Sequence, residues 1–174
     1  MSDADHLPPH EIWRFREDPG LALTAPSPSV VEEVVENRRH LHRNPEVSFA
    51  EHDTSGFVRR RLGELGLQVL ECPTETGAVA RLDTGRPGRT VMVRADIDAL
   101  PIQEDMGLAF ESTREGRMHA CGHDAHTAIA LGVARTLSEH ADGLAGSFVF
   151  VFQPAEEIVQ GAKAMIAKGL LEQN

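Results

Sequence analysis

Apolar positions along the chain recur at two spacings, one helical and one extended. The stretch "VVEEVVENRRHLHR" predicts a helix capped by Ser29 and stopped near Pro45, because proline disfavours helical geometry in the residue before it. A second helix is predicted from Glu51 to Leu65, with Phe57, Val58, Leu62 and Leu65 as its apolar stripe and Gly66 closing it. The runs "LQVLEC", "GAVARL" and "TVMVRADID" then read as strands, and the turn "DTGRPGR" between the last two predicts a hairpin. From Leu100 to His119 no period is sustained. "HTAIALGVARTLSEHA" follows as a helix with Ile129, Ala130, Val133, Ala134 and Leu137 on one face. "GSFVFVFQP" is apolar on both faces, as a covered strand should be, and "GAKAMIAKGLL" reads as a last helix. Helices alternating with buried strands predict the α/β class: a layered α/β/α sheet with functional loops at the carboxyl ends of its strands.

Residues 1–28 lack this patterning and carry Pro8, Pro9, Pro19, Pro26 and Pro28. They read as a Pro-rich N-terminal arm, with Trp13 and Phe15 as anchors that dock it on a domain spanning 29–174. At 174 residues the chain is one domain's worth, and its 41% apolar and 25% charged residues are those of a soluble globular protein. No apolar run is long enough to span a membrane, and the N-terminus does not read as a secretory signal, so a cytoplasmic protein is expected. A formal charge of −10 disfavours nucleic acid and anionic lipid as partners.

Chemistry-bearing residues collect in three stretches that this topology sets just after strands: "ADIDALP", "HACGHDAH" and "QPAEE". Each alone is explained by helix capping. Together their residue types complement one another. Cys121 and His123 flank Gly122, whose flexibility lets a thiolate and an imidazole converge on one ion, and Glu157 adds a carboxylate. A position near a helix start lowers the Cys121 thiol pKa, and a metal would deprotonate it outright. Such a sulfur, nitrogen and oxygen set suits zinc, manganese, cobalt or nickel. With Glu157 as ligand, the adjacent Glu156 becomes the general base for a metal-activated water. Asp98 is the candidate acid that accepts a ligand's ring N–H and orients it. His126 is expected to be packed or capping, and Asp96 and Asp124 are each a cap, a supporting acid or a ligand. His40 and His42 lie two apart on their helix, so one is expected exposed and one packed. Cys72 reads as a small buried residue, and redox use of Cys121 finds no CxxC partner.

Four segments, "RRHLHRNPEVSFAEHDT", "VMVRADIDALPIQE", "MHACGHDAHTAIALGVARTL" and "VFVFQPAEEIVQGAKAMI", resemble in order and spacing the N-terminal part of the amidohydrolase branch of the dinuclear metallopeptidases. That branch contains hippurate hydrolases, aminoacylases, N-acetyldiaminopimelate deacetylases and plant hydrolases of indole-acetyl amino acids. The resemblance runs from about Glu36 to Glu172. It implies a zinc-peptidase-like catalytic domain with two divalent ions, bridged by Cys121 and further held by His123 and Glu157. It also implies Glu156 as general base, Asp98 as orienting acid, and cleavage of the amide bond of an N-acyl amino acid or small peptide-like substrate.

Members of that branch continue well beyond the point matching Asn174, with a lid or dimerisation domain and two more histidine ligands. The resemblance therefore implies a truncated catalytic domain, without the lid, holding three of five protein ligands. A competing reading follows: a non-catalytic chain that binds metal weakly or needs a partner chain to complete its site. Either reading expects an exposed strand edge through which the chain can self-associate.

Overall fold

The computed structural model describes residues 26–172. The Pro-rich arm, with Trp13 and Phe15, lies almost wholly outside these described residues. The elements are α1 (Pro28–Arg43), α2 (His52–Glu64), β1 (Gln68–Leu70), β2 (Ala78–Asp83), β3 (Thr90–Asp96), α3 (His123–Glu139), a 3-10 turn at Ala141–Gly143, β4 (Ser147–Gln153) and α4 (Gly161–Ala167). Helix α1 begins earlier than the sequence pattern suggests. Ser27 is its N-cap and Pro28 occupies the first turn, where a missing N–H costs nothing. Ser29 is inside the helix.

The four strands form one sheet in the order β1-β2-β4-β3. β2 pairs antiparallel with β1 and with β4, while β3 runs parallel to β4. The expected β2–β3 hairpin does not form, because β4 inserts between the two strands. Its sequence explains the preference. Val149, Phe150, Val151 and Phe152 are all buried, so this strand needs a neighbour on each side and a layer over each face. The "DTGRPGR" turn instead wraps the start of β4, where Gly146 donates to the carbonyl of Arg86 and Ser147 to that of Arg89.

Period-two alternation divides the strands between two cores. Phe150 and Phe152 of β4, with Ala78, Ala80 and Leu82 of β2, face Leu41, Phe57, Val58, Leu62, Leu131 and Ala134 from the first three helices. Val79, Val149 and Val151 face the other way, onto Met165 and Leu170. This is the expected α/β/α layering. Each buried phenylalanine contributes about 1.5–3 kcal/mol. Helix α3 differs from its predicted face: Ala130 and Ala134 are buried with Ala128 and Leu131, but Ile129 is 55% exposed, beside a shallow apolar groove shared with Val30, Val34 and Val35 of α1. The outer edge of β3 has no strand beside it among the described residues, and Val91 and Met92 are exposed there. No helix among the described residues is long and apolar enough to cross a membrane.

Candidate metal centre

The carboxyl ends of β3 and β4 lie side by side, with Asp96 in register with Gln153. The chain therefore delivers "ADIDALP" and "QPAEE" to one rim, and α3 brings its N-terminus to the same place. Gly122 caps α3 with φ +83, a left-handed conformation that a side chain would strain, and this turn sets Cys121 outside the helix while His123 begins it. Cys121, His123 and Glu157 each present a ligand atom within 4.8 Å of the others. His123 is buried, Glu157 partly so and Cys121 exposed.

The orientation of His123 decides which of its nitrogens is available. Its Nδ1 lies 2.8 Å from the main-chain carbonyl oxygen of Asp98, which can only accept, so Nδ1 carries the proton. Its Nε2 then faces Asp96 Oδ2 and Glu156 Oε2, both at 3.7 Å, and Glu157 Oε1 at 3.8 Å. These are too long for hydrogen bonds, and they surround one nitrogen with acceptors. Glu157 Oε1 is buried with no hydrogen-bond partner among the described residues. A buried oxygen without a donor, facing a thiol and an imidazole nitrogen, fits a divalent cation.

Asp98 is fully buried and supports the site in a second way. Its Oδ1 accepts the backbone N–H of Glu156 at 3.0 Å, and its Oδ2 accepts that of Glu157 at 3.1 Å and the hydroxyl of Ser48 at 2.6 Å. Burial alone would raise its pKa, but these donors and His123 hold it down at about 2. Burial likewise disfavours a charged His123, yet Asp98 and Asp96 outweigh it and push the imidazole up to about 9.

Two sequence expectations fail here. The Cys121 thiol is pushed up rather than down, chiefly by the negative charge of Glu157, with Glu156 and Asp96 adding to it. His126 is neither buried nor capping: its ring stacks on His123 but is 55% exposed, and its Nδ1 lies 2.7 Å from Asp96 Oδ1. With His123 these two form another convergent donor group, although Asp96 is also paired with Arg94 at 2.9 Å. Cys72 is half-buried against the second core.

Other residues support the rim from behind. His42 is the buried member of its pair, with Nδ1 2.7 Å from Asp124 Oδ2 and Nε2 3.0 Å from Glu104 Oε1, while Arg38 donates to the same Asp124 oxygen at 2.8 Å. His40 is exposed, as expected for the other member of the pair. Asp124 is therefore tied to α1 rather than to the ligand cluster. Burial pushes His119 down to about 4, and neither of its ring nitrogens has a partner among the described residues. Ser48, Glu104 and Glu51 escaped the sequence reading. The only signal for Ser48 and Glu51 was their place in "NPEVSFAE", since hydrophobic spacing is silent about loop side chains.

Residues 92–174 match the model of peptidase family M20/M25/M40. The N-acyl-L-amino acid amidohydrolase of Geobacillus stearothermophilus is 46% identical over 144 residues, covering 82% of this chain and 39% of that protein. The IAA-amino acid hydrolase ILR1-like 2 of Arabidopsis thaliana is 43% identical over 148 residues, covering 85% and 34%. Among solved structures, the YXEP protein of Bacillus subtilis, described as a dinuclear metal binding peptidase from the M20 family, superposes with a TM-score of 0.79 at 42% identity, covering 82% of this chain and 40% of that one. The chain spans between about a third and two fifths of the length of these relatives. On the matched model and these relatives, the chain belongs to peptidase family M20/M25/M40.

Proposed function

We propose that this chain carries the metal-binding and proton-transfer residues of a metal-dependent amidohydrolase that cleaves the amide bond of N-acyl amino acids. The observation that carries the reading is the meeting of Cys121, His123 and Glu157 around Glu157 Oε1, which has no hydrogen-bond partner among the described residues. Those three residues would hold the ion, and their donor set suits zinc, manganese, cobalt or nickel. A bound divalent ion supplies Lewis-acid activation of a water and polarisation of the scissile carbonyl. Glu156 is the general base. Its side chain is 42% exposed and turned toward the same cluster, so it can take a proton from water at the rim and return it to the leaving amine. Asp98 fixes His123 through its carbonyl and the two glutamates through their amides. The amidohydrolase and hydrolase names of the relatives support N-acyl amino acids as the substrate class. Two unpaired cysteines support a cytoplasmic setting.

The test is hydrolysis of N-acetyl amino acids by the metal-loaded chain. Glu156→Gln is expected to lower turnover by about 10²–10⁴-fold while metal content stays at the wild-type level. Equal turnover in the two proteins would overturn the role of Glu156. The open edge of β3 favours a second reading, in which a second copy or another chain adds a strand there and completes the site. In that case turnover rises more steeply than linearly with protein concentration.

A further inference from the structure

The turn that carries Glu156 and Glu157 is held in an uncommon backbone conformation. Ala155 has φ +50 and Val159 φ +56, both in the left-handed region that residues with a Cβ seldom occupy. Such a conformation persists only where its surroundings fix it. The Ala155 carbonyl accepts the N–H of Gly161 at 3.0 Å, and the Ala155 N–H donates to Glu51 Oε1 at 2.8 Å. Glu51 is fully buried. With Asp98 on the next two amides, three successive N–H groups of this turn are taken by two buried carboxyl groups.

Glu51 stands at the N-cap of α2, but its side chain makes no capping bond. That work is done by Glu46, whose two carboxylate oxygens accept the N–H groups of Asp53 at 3.2 Å and Thr54 at 2.8 Å. Burial pushes the Glu51 carboxyl upward, against the opposing bond from Ala155. The side chain of this buried acid is instead spent on one backbone amide of the glutamate turn, 104 residues away in sequence.

We propose that Glu51 is a positioning residue for the metal-binding turn: by holding the Ala155 amide it sets the direction in which Glu156 and Glu157 leave the sheet. The inference rests on the metal reading given above. It is tested by titrating the whole chain with Co²⁺ alone, following the visible and near-ultraviolet bands, and by measuring hydrogen exchange at the Ala155 amide. Glu51→Ala is expected to weaken Co²⁺ binding by about 10–100-fold, the usual loss when a ligand's support is removed, and to speed exchange at Ala155. Glu51→Gln keeps an oxygen in the accepting position and is expected to recover both properties. That rescue separates positioning from charge. A folded Glu51→Ala protein with wild-type Co²⁺ affinity, or a Glu51→Gln protein as weak as Glu51→Ala, would overturn the proposal. If Glu51→Ala does not fold, Glu51→Gln and the wild-type exchange rate decide, and rapid exchange at Ala155 in the wild type counts against it. A wild-type chain that binds no Co²⁺ overturns the metal reading instead, while faster exchange at Ala155 in Glu51→Ala than in the wild type and in Glu51→Gln still reports that Glu51 holds the turn.

Discussion

Asp98 holds His123 chiefly with its main chain: His123 Nδ1 is 2.8 Å from the Asp98 carbonyl oxygen, while the carboxylate Oδ1 stands farther off at 3.4 Å. This division frees the carboxylate for the amides of Glu156 and Glu157, so one residue orients groups from two different loops.

Removing the Asp98 carboxylate should therefore loosen the glutamate turn while leaving the His123 ring in place. Asp98→Ala is expected to weaken divalent-metal affinity by about 10–100-fold, with His123 still bonded to the main-chain carbonyl of position 98 but titrating at lower pH, because the carboxylate that helps push it up is gone. Metal titration followed by calorimetry, alongside histidine NMR spectra, checks both halves. An unchanged affinity would show that the two amides need no carboxylate.

Gly161 tests the same turn from its other end. A Cβ there would lie 1.6 Å from the carbonyl oxygen of Pro154, which is backbone and cannot swing aside. Gly161→Ala should cost roughly 1–3 kcal/mol through this overpacking, read from urea unfolding, and should also weaken metal binding. Gly63→Ala is the control, because no atom lies within 4 Å of the added methyl.

Away from the site, Glu33 joins α1 to α2 and α3 through Arg61 and Arg135. Burial opposes ionisation of Glu33, but the bonds from Arg135 and Arg61 and their charge hold its pKa below the usual 4.5. The sign follows from a depressed carboxylate. The folded state binds fewer protons than the unfolded state, so the contribution is present above pH 4.5 and is lost as pH falls through the lower folded-state value. Glu33→Gln should lower the melting temperature at pH 7, and the gap between the two proteins should close on acidification to below that value. A gap independent of pH would assign the loss to packing.

The layers were legible in the sequence because burial leaves a period. Phe150 and Phe152 against Val149 and Val151 specify two covered faces, and the convergence of Cys121, His123 and Glu157 was legible because their residue types complement one another. Strand order was not. Nothing in "GAVARL" or "TVMVRADID" records that β4 enters between them, since a non-local pairing is decided by which strand most needs two neighbours. Ile129 has the spacing of a core residue, yet it falls where α1 and α3 leave a groove. The Cys121 thiol was misjudged for a related reason: the effect of a helix terminus can be read locally, whereas the opposing charge of Glu157 arrives through the fold. Glu51 and Ser48 act through single bonds to distant segments, Ala155 and Asp98, and such bonds leave no mark on hydrophobic spacing.

The central claim is that Cys121, His123 and Glu157 hold a divalent cation, and Co²⁺ spectroscopy tests it most directly, because a thiolate ligand gives its own near-ultraviolet charge-transfer band. The wild-type chain and Cys72→Ser are expected to show that band on Co²⁺ addition, and Cys121→Ser to lose it together with most of the affinity. A Cys121→Ser chain that keeps the band, or a wild-type chain in which it never develops, would contradict the account.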